Sequence, residues 1–120
     1  MILLDTNVLI WLLAGNKRVR KLPKGARLYV SPVSLLELRL LDELGRIRFK
    51  TTPDAVEDDD RFALDDPSSA TLFKAAARLA WTRDPFDRLI VGHAQLRGWR
   101  LATSDSMIID NLTPAGVIAL

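Results

Sequence analysis

The stretch Ile2 to Ile10, ILLDTNVLI, constrains this chain more than any other. Four apolar residues run into Asp5, and the polar pair Thr6 and Asn7 separates that carboxylate from a second apolar run that stops before Gly15. A short continuous apolar run bounded by turn residues reads as a buried strand, usually a central parallel one. Asp5 then stands at the strand's carboxyl end, where open α/β sheets bind ligands. Thr6 or Asn7 can cap the helix that follows, so that its free N–H groups face the same crevice. Asp is also common as a plain helix N-cap or turn former, and taken alone Asp5 fits that role equally well.

Further along, strands and helices alternate. The first helix ends near Gly15 and a basic connection runs through Lys24; Leu28 to Val30 reads as a second strand. Ser31 and Pro32 open a helix that stops at Gly45. Within it Val33, Leu40, Leu41 and Leu44 share a face with Glu37, which puts a carboxylate in an apolar stripe. An unpaired buried carboxylate costs several kcal/mol or takes up a proton, so Glu37 calls for a cation, a metal or a donor. The competing local reading makes Ser34 and Glu37 a capping box with a later helix start. Leu35, Leu36 and Leu38 make this helix apolar over most of its circumference, which points to a second buried side, against another subunit.

Arg46 to Phe49 reads as a short strand or extended connection, residues 53 to 60 as a short helix at best, and Phe62 to Leu64 as an edge strand before the Asp65–Asp66–Pro67 turn. Ser68 or Ser69 opens a helix through Trp81 with Ala70, Phe73, Ala77, Ala80 and Trp81 inward. TRDPFDRLIVGHAQLRG starts a helix at Pro85, with capping potential in Asp84 and Asp87, and ends it at Gly98. Trp99 to Thr103 is a strand that delivers Ser104 and Asp105 at its carboxyl end, repeating the arrangement at Asp5. A short helical piece around Ile108 and Ile109 and a closing strand from Val117 to Leu120 complete an α/β chain, a mostly parallel central sheet between helical layers. At 120 residues and 48% hydrophobic content it is read as one domain, 1–120.

Composition narrows the chemistry. Without cysteine there is no thiolate metal site, and a lone histidine, His93, excludes multi-histidine zinc motifs. Any metal must be held by oxygen, which suits Mg²⁺ or Mn²⁺. No segment approaches a membrane span and the N-terminus lacks a secretory pattern, so the expected location is the cytoplasm. The net charge of +2 is unevenly spread: residues 1 to 50 hold ten basic and four acidic side chains, residues 51 to 70 one and seven. Lys17, Arg18, Arg20, Lys21, Lys24 and Arg27, with Arg39 further on, suit a phosphate backbone; a solvated face is the alternative. The acidic run lacks the spacing and central glycine of a calcium loop and reads as solvated surface.

Asp5, Glu37, Asp87 and Asp105 share a logic, since all are consistent with one crevice at the carboxyl edge of the sheet. Carboxylates so crowded raise one another's pKa, and divalent cations relieve the conflict while activating water against a phosphodiester. LDTNVLIWLL, SPVSLLELRLL, RDPFDRLIVGHA and LATSD, in this order and at these intervals, resemble the PIN-domain family, and in length and order the VapC-type toxins of bacterial toxin–antitoxin pairs.

The resemblance implies a metal-dependent ribonuclease acting on single-stranded or exposed RNA and inhibited by a VapB-type antitoxin; the chain is read accordingly as an Mg²⁺- or Mn²⁺-dependent endoribonuclease and a homodimer. It puts the acidic site on Asp5, Glu37, Asp87 and Asp105, with Thr6, Asn7 and Ser104 as polar neighbours and Asp84 as a fifth acid. The chain departs from the family at Gly92–His93, where relatives often carry Ala-Gln, and over Arg61 to Pro67. His93 lies off the face of Asp87 and reads as a surface or packing residue. Two rivals stand beside this reading. One is a non-catalytic RNA- or protein-binding module on the same fold, which gives no reason to keep repelling carboxylates. The other is a receiver-type phosphoryl-transfer domain, which needs a lysine where Thr103, Ser104 and Asp105 stand.

Overall fold

A computed structural model describes residues 1–48 and 51–120. In chain order it consists of β1 (Ile2–Leu4), α1 (Thr6–Ala14), a 3₁₀ turn (Lys17–Lys21), β2 (Leu28–Val30), α2 (Pro32–Glu43), α3 (Pro53–Glu57) and β3 (Ala63–Leu64). There follow α4 (Ser69–Ala77), α5 (Pro85–Arg97), β4 (Arg100–Thr103), α6 (Ser106–Asn111), a second 3₁₀ turn (Pro114–Gly116) and β5 (Val117–Ala119). The connection expected over Arg46 to Phe49 forms no strand through Arg48, and Phe49 lies outside the described residues. Among the described residues no helix is long and apolar enough to cross a membrane.

Among the described residues the five strands are all parallel and lie in the order β3-β2-β1-β4-β5. β1 is central because it can be buried on both faces: Ile2, Leu3 and Leu4 are each 0% exposed. Alternation along the strand sends Ile2 and Leu4 into one core, with Val8 and Leu9 of α1, Leu38 of α2 and Val56 of α3. Leu3 goes into the other, with Ile90, Val91 and Ala94 of α5 and Ile108 of α6. The sheet is thus the middle of three layers. Its order also excludes the receiver-type rival, whose flavodoxin-like sheet runs 2-1-3-4-5. The chain builds outward from β1 through β2 to β3, then returns to the other side of β1 for β4 and β5, so the topological switch point falls between β1 and β4.

Two helical faces differ from the pattern the sequence suggests. In α2 the buried line is Ser34 and Leu38, whereas Leu40 and Leu44 are exposed, so Glu37 stands at the margin of an apolar stripe. Ser31, not Ser34, is the N-cap, its Oγ accepting from the Val33 N–H at 3.3 Å. In α4 the buried residues are Leu72 and Ala76, with Leu79 beyond its end, while Ala70, Phe73, Ala77 and Ala80 are exposed and Trp81 is half-buried. The helix stops at Ala77, which removes the last turn that would have carried Ala80 and Trp81. Its phase is set by α5: a Cβ at Gly92 would lie 3.1 Å from the Ala76 backbone nitrogen, so glycine there lets the two helices close on the Leu72–Ala76 face.

Candidate active site

At the carboxyl edge of the sheet α2 is capped by Ser31, and an aspartate caps each of three other helices. Asp5 is the N-cap of α1, Asp84 of α5 and Asp105 of α6. Capping is locally determined, because the first N–H groups of a helix lack partners and the helix dipole favours negative charge there. Asp84 Oδ1 accepts from the Phe86 N–H at 2.9 Å and the Asp87 N–H at 3.3 Å; Asp105 Oδ1 accepts from Met107 at 2.9 Å and Ile108 at 3.4 Å. These two acids therefore have a structural occupation as well as a charge.

Asp5 is placed differently. It is 6% exposed, its Oδ1 accepts from the Thr6 N–H at 2.8 Å, and its Oδ2 accepts from the Thr103 hydroxyl at 2.6 Å. The same Thr103 oxygen accepts from the Asp105 N–H at 3.1 Å, so one buried hydroxyl ties the ends of β1 and β4 together across the switch point. Sequence reasoning missed Thr103 as a site residue. Its signal was its register, two positions before Asp105 at the end of a strand that pairs with β1. Ser34 was missed likewise: buried in α2, it accepts or donates in a 3.0 Å hydroxyl contact with Thr6.

Burial is the first cause of a raised pKa at Asp5, opposed by its bonds to Thr103 and Thr6 and reinforced by Asp105 and Asp84. Burial also raises Glu37, the Thr6 hydroxyl opposing it and Asp5 and Asp84 adding to it. Asp87, in the first turn of α5, is pushed up to about 7, first by burial and then by the charges of Asp84, Asp5, Asp105 and Glu37. The five acids thus share one electrostatic field. Among the described residues no lysine or arginine forms an ion pair with any of them. Thr6 is buried against this cluster, Ser104 is half-buried beside Asp105, and Asn7 is exposed.

The donors available here are all oxygen and their charge is unbalanced, which fits a hard divalent cation and no thiophilic or imidazole-seeking metal. Among the described residues no group of three or more Asp, Glu or His side chains stands as a ready-made metal cage, so the fit is one of donor chemistry and charge. A hollow of about 320 Å³ beside Trp99 and Leu112 lies away from these acids and is lined by no titratable group.

The basic residues do not join the acids. α1 carries the chain about 14 Å, nine residues at 1.5 Å each, from Asp5 to the other edge of the sheet, where Lys17, Arg18, Arg20 and Lys21 form the 3₁₀ turn. Lys24 and Arg27 share that edge, the Arg27 carbonyl accepting from the Ile2 N–H at the start of β1. Arg39 turns to Asp42 and Glu43 on its own helix at 3.6 and 3.5 Å. His93, 0% exposed, is a packing residue: its Nε2 is 2.7 Å from Asp65 Oδ2, which also accepts from Arg97 Nε at 2.8 Å.

A family model described as the PIN domain matches residues 2–111. The chain belongs to the PIN-domain family. PIN domains of the VapC toxin class are generally nucleases. Solved structures similar to this PIN domain include a toxin–antitoxin complex from Klebsiella pneumoniae, at 18% identity and a TM-score of 0.72 over 99% of this chain and 97% of that one. VapBC from Salmonella typhimurium bound to DNA is 21% identical, with a TM-score of 0.67 over 98% and 96% of the two chains. VapBC2 from Rickettsia felis, bound to a DNA fragment from its promoter, is 20% identical, with a TM-score of 0.66 over 98% and 96%. At these identities the likeness is one of fold. No curated protein sequence matches the chain.

Proposed function

We propose that this PIN domain is an Mg²⁺- or Mn²⁺-dependent endoribonuclease, the toxin of a VapBC-type pair, working as a homodimer and held in check by a VapB-type antitoxin. The observation that carries the reading is Asp87, a half-buried carboxyl pushed up to about 7 first by burial and then by the charges of four other acids, none of which forms an ion pair with a lysine or arginine among the described residues. A protein gains nothing in stability from such a cluster, and its position at the switch point of a parallel sheet is where ligands bind. Family membership and the fold likeness to toxin–antitoxin complexes support the toxin role.

In this reading Asp5, Asp87 and Asp105 would hold the cation, Glu37 would bind it or orient the attacking water, and Asp84 would add charge while it caps α5. A cation bound there supplies a more acidic water and positive charge beside the phosphodiester. The chain's own residues do the positioning. Thr103 fixes the Asp5 carboxylate by its 2.6 Å bond, Thr6 does so from the backbone side at 2.8 Å, and Ser34 holds the Thr6 hydroxyl. Asn7, exposed on the first turn of α1, and Ser104 are placed to meet an RNA strand lying across the edge.

The test is cleavage of a mixed structured and single-stranded RNA pool, freed of any co-purifying antitoxin, by wild type and Asp5→Asn with Mg²⁺, Mn²⁺ or EDTA. Wild type should cut only with metal, and the substitution should cost more than the roughly 10–100-fold that outer-shell partners of a metal typically cost. Full activity in Asp5→Asn would overturn the site. No cleavage, and no Mn²⁺ binding by the wild type, would favour a non-catalytic RNA- or protein-binding module.

A further inference from the structure

The edge of the sheet opposite the acids carries six exposed cations, and its geometry is built to present them. A 3₁₀ helix has three residues per turn, so residues three apart are eclipsed. Val19 and Leu22 therefore fall on one line and are half-buried, Leu22 packing against the core beneath α1. Lys17 with Arg20, and Arg18 with Lys21, form two further lines, and all four are exposed. The Asn16 side chain caps the turn by accepting from the Arg18 N–H at 2.9 Å, and the Arg18 guanidinium lies 4.6 Å from the centroid of the Trp11 ring. Lys24 and Arg27, also exposed, extend the patch towards the start of β1.

Among the described residues none of these six cations is ion-paired, whereas Arg39, Arg61 and Arg97 all are. The acidic segment does reach this edge, for Arg61 donates to the Leu12 carbonyl at 3.1 Å and Asp60 lines the same hollow as Arg27, but Asp59 is taken up by Arg61 itself at 2.6 Å, and Asp60 forms no ion pair with Arg27 among the described residues. From Lys17 to Arg27 no large apolar side chain is exposed. A peptide would find no anchoring pocket on such a surface, while a phosphate backbone needs only cations.

We propose that this edge is a second RNA contact, which grips the phosphodiester backbone away from the cut. The idea rests on the ribonuclease reading. It makes the substrate an RNA long enough to run from the acid crevice around to the opposite edge, with affinity supplied by one edge and chemistry by the other.

The test is binding of a long unstructured RNA in EDTA, where nothing is cut, by wild type, Lys17→Gln/Lys21→Gln, and the control Lys74→Gln/Arg78→Gln, which loses the same charge from α4 and its C-cap. Each lost phosphate contact should flatten the plot of log K against log salt by about 0.7, so the first variant should be shallower by about 1.4 and bind roughly 25-fold more weakly at about 0.1 M salt. The control should keep the wild-type slope. Equal slopes in all three proteins overturn the proposal. So does an acidic polypeptide, poly-glutamate, that binds with the same dependence on Lys17 and Lys21 while RNA does not. A protein that never cuts RNA yet shows the slope difference would sink the cleavage reading and leave this contact standing.

Discussion

Asp87 lies in the first turn of α5 and Asp65 meets the same helix from β3, and their surroundings are opposite. Asp65, which follows β3, is met by His93 Nε2 at 2.7 Å and by the Arg97 guanidinium at 2.8 Å; despite partial burial its pKa is lowered. Asp87, near the other end of the helix, is pushed up to about 7 first by burial and then by the charges of four other carboxylates, and among the described residues no lysine or arginine is ion-paired with it. One acid is neutralised within the chain, and the other is left to be neutralised from outside. A carboxylate with its counter-charge in place fastens β3 to α5; one without it keeps a binding free energy in reserve for a cation.

The largest test of that contrast is the cation itself. A ligand that binds only the folded chain stabilises it by about 2.7 kcal/mol at a hundred times its Kd. Mg²⁺ or Mn²⁺ titration followed by thermal unfolding should show a rise of this kind in wild type and none in Asp5→Asn. An equal rise in both proteins would mean that the ion binds somewhere other than the crevice.

Next in size is the fastening. Asp65→Asn removes a charge-assisted bond to Arg97 and leaves buried His93 with a weaker partner, a ring whose Nδ1 already has none. Unfolding in urea should show a loss of about 1–3 kcal/mol with the midpoint falling. A neutral result would show that the two carboxylates differ less than their surroundings suggest.

The smallest effect has the opposite sign. Asp87→Asn removes repulsion, so the metal-free variant should be more stable than wild type at neutral pH by up to about 1 kcal/mol once solvent screening is allowed for. The pH profile sharpens this. A carboxyl raised to about 7 contributes stability that is present below its ordinary 3.8 and is lost as pH rises through 7, so acidification through that window favours the folded wild type. His93 runs the other way. Its pKa is lowered from 6.5, first by burial, so below 6.5 the unfolded chain takes up the proton and stability falls. Opposed slopes should flatten the wild-type profile. Urea unfolding at about pH 7.5 and 5.5 should show Asp87→Asn losing more stability on acidification than wild type does; parallel losses would break the assignment of the raised carboxyl to Asp87.

Much of the fold was legible because it is locally encoded. Ser31–Pro32, Asp84–Pro85 and Gly98 mark helix ends through groups within three residues of themselves, and α2 begins, and α5 begins and ends, at those marks. The faces of α2 and α4 were less legible. Leu40, Leu44 and Phe73 are apolar yet exposed, and an apolar residue on a helix records only that it can be buried, while its neighbours record whether it is. The two departures from the family pattern read as unrelated in one dimension. In three they touch, His93 bonding Asp65 and Gly92 admitting the backbone of α4.

By itself the sequence determined the alternation of strands and helices, the acids that follow β1 and β4, and the all-oxygen chemistry available to them, because periodicity, capping and side-chain type act over a few residues. Only the tertiary structure decided that β4 lies beside β1, so that Thr103 reaches Asp5 across 98 positions of chain, and that the 14 Å of α1 separates the basic turn from the acids. Strand order and helix direction arise from which apolar faces bury one another, a property of pairs of segments that no single segment carries.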